Sequence, residues 1–190
     1  MNSKEVLDLL EWTGAILTGH FMLTSGRHSD TYIEKFRLLE NPIALDKICS
    51  AMADIYKKDD VGLVVSAAIG GILIAGGVGR HLNVKHIFSE RISGEMIFKR
   101  GFNIEKNQNI IIVEDIVTTG GSINELIKVC QQNKANIVGI VSIVDRNDKN
   151  SIIKFPYETL LSYPSKSWEV NDCPLCKNNI PVIKPGSTGK

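Results

Sequence analysis

The chain has 190 residues, of which 43% are hydrophobic and 23% are charged, and its formal net charge is +1. This composition is typical of a globular domain with a substantial core, and the charge gives no support for a nucleic-acid partner or an acidic membrane surface. The first residues lack the apolar core of a signal peptide, and no apolar run approaches the roughly 20 residues that span a bilayer. We therefore expect a cytoplasmic protein without membrane or nucleic-acid partners.

The first 60 residues predict two helices separated by an extended region. Asn2 and Glu5 fit a capping box for the first helix, and Gly14 ends it. Residues 15–37 are irregular to extended in pattern, with threonines and a Ser-Gly turn. Proline in the first turn favours a second helix over residues 42–57.

Short apolar runs alternate with helical segments from residue 61 onward. Strands are predicted at 61–66, 84–88, 110–113 and 136–144, with helices over 72–81 and 122–132, and a hairpin or mobile arm over the polar residues 89–104. Strands separated by helices indicate a parallel sheet with right-handed crossovers. The pattern decays after Asp148, and an irregular tail is predicted over 165–190.

The sequence IIIVEDIVTTGGS, residues 110–122, is the most informative stretch. Its first four residues predict a fully buried strand, and Glu114 and Asp115 then lie at the carboxyl end, where open α/β sheets bind ligands. Thr118 to Ser122 supply hydroxyls and backbone amides that wrap an anion directly before a helix. The two acids could bind ribose hydroxyls, and the loop after them could bind a phosphate. The stretch therefore predicts a ribose 5-phosphate site.

An ordinary turn between strand and helix is the alternative, because Ser122 and Glu125 fit a capping box. A turn alone does not explain the adjacent Glu114 and Asp115. Strand alternation sends one to each face of the sheet, and a buried carboxylate requires a partner or a ligand. The spacing of the glycines excludes both a Walker loop and the dinucleotide fingerprint.

The four cysteines fall into two classes. Cys49 and Cys130 lie in predicted helices and are expected to be buried as small hydrophobes. Cys173 and Cys176 form a CPLC pair, which is half of a zinc-ribbon signature, but no second CxxC or HxxxH exists. We expect a local turn held by packing; a four-ligand zinc within the chain, a redox pair and a metal shared between subunits are less favoured. No histidine has an evident catalytic role, and His28 either lines the site or has a surface or capping role.

VEDIVTTGGS resembles the phosphoribosyl pyrophosphate (PRPP) motif of type I phosphoribosyltransferases: two acids, two apolar residues and a T-[TA]-G-x-[ST] loop. The resemblance implies an α/β fold with a central parallel sheet flanked by helices, an N-terminal hood and a mobile hairpin arm. It implies one domain over 1–190, with the hood at 1–40, the PRPP-binding core at 61–146 and the tail at 165–190. It implies that the two acids bind the ribose and that the loop binds the 5′-phosphate. The implied PRPP-binding residues are Glu114, Asp115, Ile116, Val117, Thr118, Thr119, Gly120, Gly121 and Ser122.

Three further stretches are similar to orotate phosphoribosyltransferases. GHFMLTSGRHSDTYIE, residues 19–34, resembles the N-terminal signature of that family. AAIGGILIA resembles its pyrophosphate loop and following helix, which implies a pyrophosphate role for Ala68, Ile69, Gly70 and Gly71. IVDR resembles its fourth-strand motif, whose arginine, here Arg146, contacts orotate; Thr118 is placed to contact the base as well as the phosphate. The alternative for Arg146 is an exposed arginine paired with Asp145 or Asp148.

The resemblance implies transfer of ribose 5-phosphate from PRPP to orotate in pyrimidine synthesis, in a homodimer. It implies Mg²⁺ held by substrate oxygens and water, with no metal ligand directly from the protein. The implied catalytic residues are Asp115 and, in the arm, Arg91 and Lys99. The arm departs from the family pattern, since it lacks the KxHG segment, and Thr24 stands where the family has a lysine. A phosphoribosyltransferase for another base and a non-catalytic PRPP- or nucleotide-binding regulator are the alternatives.

Overall fold

One six-stranded sheet organises the chain, whose computed structural model describes residues 1–147 and 153–185. The strands are β1 (Ile16–Met22), β2 (His28–Ile33), β3 (Leu63–Ala67), β4 (Lys85–Ile92), β5 (Glu95–Phe98), β6 (Asn109–Val117), β7 (Asn136–Asp145) and β8 (Tyr157–Ser162). The helices are α1 (Ser3–Trp12), α2 (Lys35–Leu39), α3 (Pro42–Ile55), α4 (Gly70–Leu82), α5 (Gly121–Gln132) and α6 (Pro174–Lys177).

The main sheet has the strand order β5-β4-β3-β6-β7-β8. All neighbours are parallel except β4 and β5, which form an antiparallel hairpin. The predicted α/β class with a central parallel sheet flanked by helices is confirmed, and the polar residues 89–104 do contain a hairpin. Because β3, β6 and β7 are parallel, their carboxyl ends lie at the same edge of the sheet, where a ligand site is expected.

Strand β6 is buried on both faces, and its residues alternate between two cores. Ile111 and Val113 belong to the apolar cluster that includes α3 and α4. Ile110 and Ile112 belong to the cluster that includes α5. Glu114 borders the start of α5, whereas Asp115 contacts Lys35 of α2 and Gly70 of α4, so the two acids are directed to opposite faces of the sheet, as predicted. The alternation does not extend to Ile116, which packs in the same cluster as Ile111 and Val113.

The segment after β6 differs from prediction in two respects. The strand does not end at Val113 but continues to Val117, so both acids lie within it. The predicted capping box is also wrong: the residue preceding α5 is Gly120, in the left-handed region at φ +75°, and no side chain caps this helix. Glu125, the expected capping partner, instead forms an ion pair with Arg91.

Two elements lie where the sequence predicted irregular structure. Strand β8 pairs in parallel with β7 at the sheet edge, although the pattern was expected to decay after Asp148, itself outside the described residues. Helix α2 follows β2 directly, with Glu34 accepting a hydrogen bond from the backbone N–H of Phe36 at its start. Pairing with β7 explains β8, because a neighbouring strand supplies the extended conformation that YETLLS does not itself favour.

An N-terminal hairpin, formed by β1 and β2, is covered by the C-terminal tail (residues 165–185). The backbones of His28 and Trp168 exchange two hydrogen bonds, and Ile183 accepts a hydrogen bond from the N–H of Met22. The part of the tail that the structure describes contains α6 and is therefore less irregular than predicted; residues 186–190 lie outside it. Among the described residues, no helix has both the length and the apolar character needed to cross a bilayer.

Candidate active site

A cavity of about 460 Å³ opens where β6 and β7 end. The hairpin, β6, the loop after β6, β7 and the tail all contribute to its lining, through residues that include Tyr32, Lys35, Asp115, Thr118, Arg146 and Ser165. Five predicted site residues, Asp115, Ile116, Thr118, Thr119 and Arg146, thus meet in one cavity although they are separated by up to 31 positions in the chain. Its place at the carboxyl edge of the sheet is the one expected for a ligand site in an open α/β fold.

The Asp115 carboxylate is fixed by two close contacts. Its Oδ1 accepts a hydrogen bond of 2.6 Å from the N–H of Ile116, and its Oδ2 lies 2.6 Å from Nζ of Lys35. The side chain of Asp115 is only 6% exposed, whereas that of Lys35 is 33% exposed. A buried carboxylate is therefore held in one orientation at the cavity wall, with its charge balanced by a lysine that reaches solvent.

Lys35 was missed by the sequence analysis. It directly follows the stretch that resembles the family signature, but that region was expected to be irregular and no contact with Asp115 was foreseen. The signal that could have found it is a lysine placed one residue after an acid at the end of a polar strand. In the structure its ammonium pairs with Asp115, and its Cε lies beside Gly70 of the predicted pyrophosphate loop.

The predicted pyrophosphate loop, Ala68 to Gly71, packs directly on Asp115. A Cβ added to Gly70 would overlap the Asp115 carboxylate, so only glycine permits this approach. Ala68 donates its N–H to the carbonyl of Ser89 at 2.8 Å, which ties the loop to β4, and the Ala68–Ile69 peptide bond is cis. One ligand could therefore contact both Asp115 and this loop. The role of the loop in binding pyrophosphate stays a prediction.

Glu114 faces the opposite side of β6 and borders a small hollow of about 50 Å³. The loop residues Thr118 to Ser122 line the same hollow, and α5 begins at Gly121. The first amides of a helix have no intrahelical partners, so they are available to an anion bound here. The residues predicted to bind a phosphate and a ribose thus lie together, and their roles stay predictions.

Burial raises the pKa of the Glu114 carboxyl, and the neighbouring Asp115 carboxylate raises it further. The folded protein therefore retains a proton that the unfolded chain releases above a carboxyl pKa of about 4.3. The contribution of Glu114 to stability must then decrease as the pH rises above that value.

We expect Glu114→Gln to flatten this dependence, because glutamine keeps the shape and an acceptor oxygen but cannot ionise. One pKa unit corresponds to about 1.4 kcal/mol, so the variant should gain about 1 to 3 kcal/mol on the native protein between about pH 5 and pH 9. Urea unfolding at a series of pH values measures this. Glu158→Gln, at an exposed position of β8, is the matched control; equal slopes for all three proteins would contradict the assignment.

The guanidinium of Arg146 is anchored at the far wall of the cavity. Its Nε donates to Oγ of Ser165 at 3.1 Å, and its Nη2 donates to the carbonyl of Thr31 at 3.3 Å. Burial lowers the pKa of Arg146, but an arginine remains charged. The described partners of Arg146 are a hydroxyl and a carbonyl. Arg146 therefore does not form the ion pair with Asp145 that was the alternative. Asp148, the other possible partner, lies outside the described residues.

The arm formed by β4 and β5 does not bring its basic residues to this cavity. Arg91 donates to the carbonyl of Gly94 at 2.7 Å and pairs with Glu125 of α5. Arg100 pairs with Glu90 at 2.9 Å, and Lys99 is exposed. The described residues that line the cavity include neither Arg91 nor Lys99, and the catalytic role of these two residues stays a prediction.

The comparisons with known proteins agree with this geometry. The model of the phosphoribosyl transferase domain family matches residues 37–176. An orotate phosphoribosyltransferase of Thermoanaerobacter sp. (strain X514) is 40% identical over 187 residues, which cover 98% of this chain and 98% of that protein. The chain belongs to the orotate phosphoribosyltransferase family.

Phosphoribosyltransferases that act on different bases share the fold of this family. The crystal structure of orotate phosphoribosyltransferase from Aeropyrum pernix matches with a TM-score of 0.68 at 23% identity, over 83% of this chain and 93% of that one. Adenine phosphoribosyltransferase from Thermoanaerobacter pseudethanolicus matches with a TM-score of 0.62 at 14% identity, over 70% and 88%. Structural likeness confirms the type I phosphoribosyltransferase fold, while the sequence relatives place the chain in the orotate branch.

Proposed function

We propose that the protein transfers ribose 5-phosphate from PRPP to orotate, giving orotidine 5′-monophosphate and pyrophosphate in pyrimidine synthesis. One observation carries this proposal: a single cavity joins Asp115 and Thr118, at the PRPP motif, to the guanidinium of Arg146. The name of the Thermoanaerobacter relative, which aligns over nearly all of the chain, supports the same substrate.

PRPP binds along the end of β6. Glu114 and Asp115 accept hydrogen bonds from the ribose hydroxyls, and the loop from Thr118 to Ser122 binds the 5′-phosphate through hydroxyls and the free amides of α5. The pyrophosphate extends over Ala68 to Gly71, beside the ammonium of Lys35. The close packing of Gly70 on Asp115 supports this placement, since it joins the ribose site to the loop.

Orotate binds at the opposite wall of the cavity. Its carboxylate matches the planar, bidentate donor geometry of a guanidinium, and Arg146 is already oriented by Ser165 and Thr31. Thr118, the first residue of the phosphate loop, lines both the hollow and this cavity, so its hydroxyl is available to the base.

Displacement of pyrophosphate develops positive charge on the ribose. The Asp115 carboxylate is fixed before the reaction and stabilises that charge where it appears. The leaving pyrophosphate is neutralised by Lys35 and, from the arm, by Arg91 and Lys99. Because the arm does not reach the cavity of its own chain, we assign it to the site of a second subunit in a homodimer.

The carboxylates at the site are not arranged as direct ligands of Mg²⁺. Both oxygens of Asp115 are engaged, and Oε1 of Glu114 accepts the N–H of Asp115 at 3.0 Å. Mg²⁺ would therefore be held mainly by PRPP oxygens and water, as this ion prefers, and would supply charge neutralisation on the pyrophosphate. We place the enzyme in the cytoplasm, where pyrimidine synthesis would supply its substrates.

A spectrophotometric assay of orotate consumption, with PRPP and Mg²⁺, tests the function. Parallel reactions with hypoxanthine and with uracil test the two other base classes. Turnover of orotate alone supports the proposal. Turnover of another base, or binding of PRPP without turnover of any base, contradicts it and favours respectively a different transferase or a regulator.

The base-binding role of Arg146 has its own test. Arg146→Ala should raise the KM for orotate about 10- to 100-fold, because a hydrogen-bonded charge pair contributes about 1.5 to 3 kcal/mol. The KM for PRPP should change much less. Arg80→Ala, which removes an exposed arginine paired with Asp46, is the control. Equal losses for the two substrates would contradict this role.

A further inference from the structure

Four potential metal ligands meet between the hairpin and the tail. His20 lies in β1, His28 begins β2, Cys173 precedes α6, and Cys176 lies within it. One ligand atom from each residue lies within 4.8 Å of every other. His20, His28 and Cys173 are at most 4% exposed, and neither cysteine forms a disulfide. No motif in the sequence predicts this set, because its two histidines and two cysteines are about 150 residues apart.

The orientation of the side chains is that of a metal site. His20 donates from Nδ1 to the carbonyl of Ile180, at 2.7 Å, which leaves its Nε2 as the free ligand atom. Such a hydrogen bond to the second ring nitrogen is the usual support of a metal-binding histidine. The free Nε2 lies 3.5 Å from Sγ of Cys173 and 3.7 Å from Sγ of Cys176, and Nδ1 of His28 lies 3.3 Å from Sγ of Cys176.

Three of these separations match the edges of a tetrahedron around one ion. With ordinary zinc bond lengths, nitrogen and sulfur ligands are about 3.6 Å apart, close to the three measured distances. The two imidazole nitrogens, at 2.8 Å, would separate to about 3.3 Å on binding. Two thiolates and two imidazoles in this geometry favour Zn²⁺ over the harder magnesium or calcium ions.

We propose that His20, His28, Cys173 and Cys176 bind one structural zinc ion. All four positions of the tetrahedron are filled by protein, so the site leaves none open for catalysis. The ion joins the hairpin to the tail, whose Ser165, Ser167 and Pro185 line the cavity. It therefore fixes one wall of that cavity, and the inference stands independently of which base the enzyme uses. The expectation of a CPLC turn held by packing alone is replaced by this proposal, and His28 is not a surface residue.

Metal analysis of the full-length protein, purified without chelators and then supplied with Zn²⁺ and dialysed, is the test. We expect about one zinc per chain. Cobalt added to metal-free protein should give the visible bands of a tetrahedral ion and the near-ultraviolet bands of cobalt–thiolate bonds. Cys176→Ser, at the most exposed ligand position, should lose the zinc and most of the thiolate bands. Cys130→Ala, which removes a buried cysteine of α5, should keep both.

Native protein that retains no zinc and gives no cobalt–thiolate spectrum would overturn the proposal. A Cys173–Cys176 disulfide in the native protein, detected by mass spectrometry, would also overturn it, as would full zinc retention by Cys176→Ser. If Cys176→Ser fails to fold, the native protein still decides: a mercurial reagent that blocks thiols should release the zinc to a chromophoric chelator, and release without thiol modification would refute the assignment.

Discussion

Replacing Asp115 by asparagine should lower kcat about 100- to 1,000-fold, the range expected for loss of one preorganised electrostatic group. The substitution keeps the size of the side chain and the acceptor for the N–H of Ile116, so the local backbone should persist. It removes the negative charge that stabilises the developing cation on the ribose, and it leaves Lys35 without its partner. Initial rates of orotate consumption at saturating PRPP and Mg²⁺ measure the effect.

Asp8→Asn is the matched control for this experiment. Asp8 also pairs with a lysine, Lys4 at 2.9 Å, but on the exposed face of α1. An exposed pair contributes about 0 to 1 kcal/mol, so the control should retain native activity and nearly native stability. An Asp115→Asn protein that folds and turns over orotate at the native rate would remove Asp115 from the catalytic machinery.

Gly70→Ala should lower activity about 100-fold, a loss typical of a catalytic group displaced by about 1 Å. The added methyl group would occupy the position of the Asp115 carboxylate, so either that carboxylate or the pyrophosphate loop must move. Gly62→Ala is the control, because a Cβ there meets its nearest atom at 3.5 Å, an ordinary contact. The same orotate assay, with thermal unfolding in parallel, compares the two variants.

The double variant separates displacement of Asp115 from general damage to the fold. If Gly70→Ala acts by moving the Asp115 carboxylate, then adding it to Asp115→Asn should cost little further activity, because the group it displaces is already inactive. Independent effects would multiply instead. A multiplied loss, or native activity in Gly70→Ala, would contradict the role of this glycine.

The parts of the structure that the sequence predicted are those governed by local pattern. The unbroken apolar run Ile110–Val113 predicted a strand buried on both faces. Alternation predicted that Glu114 and Asp115 face opposite sides, and Glu114 borders the hollow whereas Asp115 lines the cavity. Glycines and threonines before a helix predicted the loop at the hollow beside Glu114. These features depend on residues within a few positions of each other, where backbone geometry determines the outcome.

The parts that could not be predicted depend on contacts between distant segments. Strand β8 is a strand because β7 lies beside it, and its own sequence gives no strong signal. Lys35 contacts Asp115, 80 positions further along the chain, through the packing of α2 against α3 and α4. The histidine–cysteine cluster likewise requires knowledge that the tail pairs with the hairpin, which no spacing within the CPLC motif contains.

The cavity proposed to bind the base is built from segments that are synthesised at different times. One wall is made by residues 22–35 and another by residues 165–185, with the PRPP motif between them in the chain. A chain still on the ribosome has the first wall and the motif before the second has emerged, since synthesis proceeds from the N-terminus. The cavity therefore cannot be complete until residues 165–185 have left the ribosome, although its first wall and the PRPP motif are synthesised earlier.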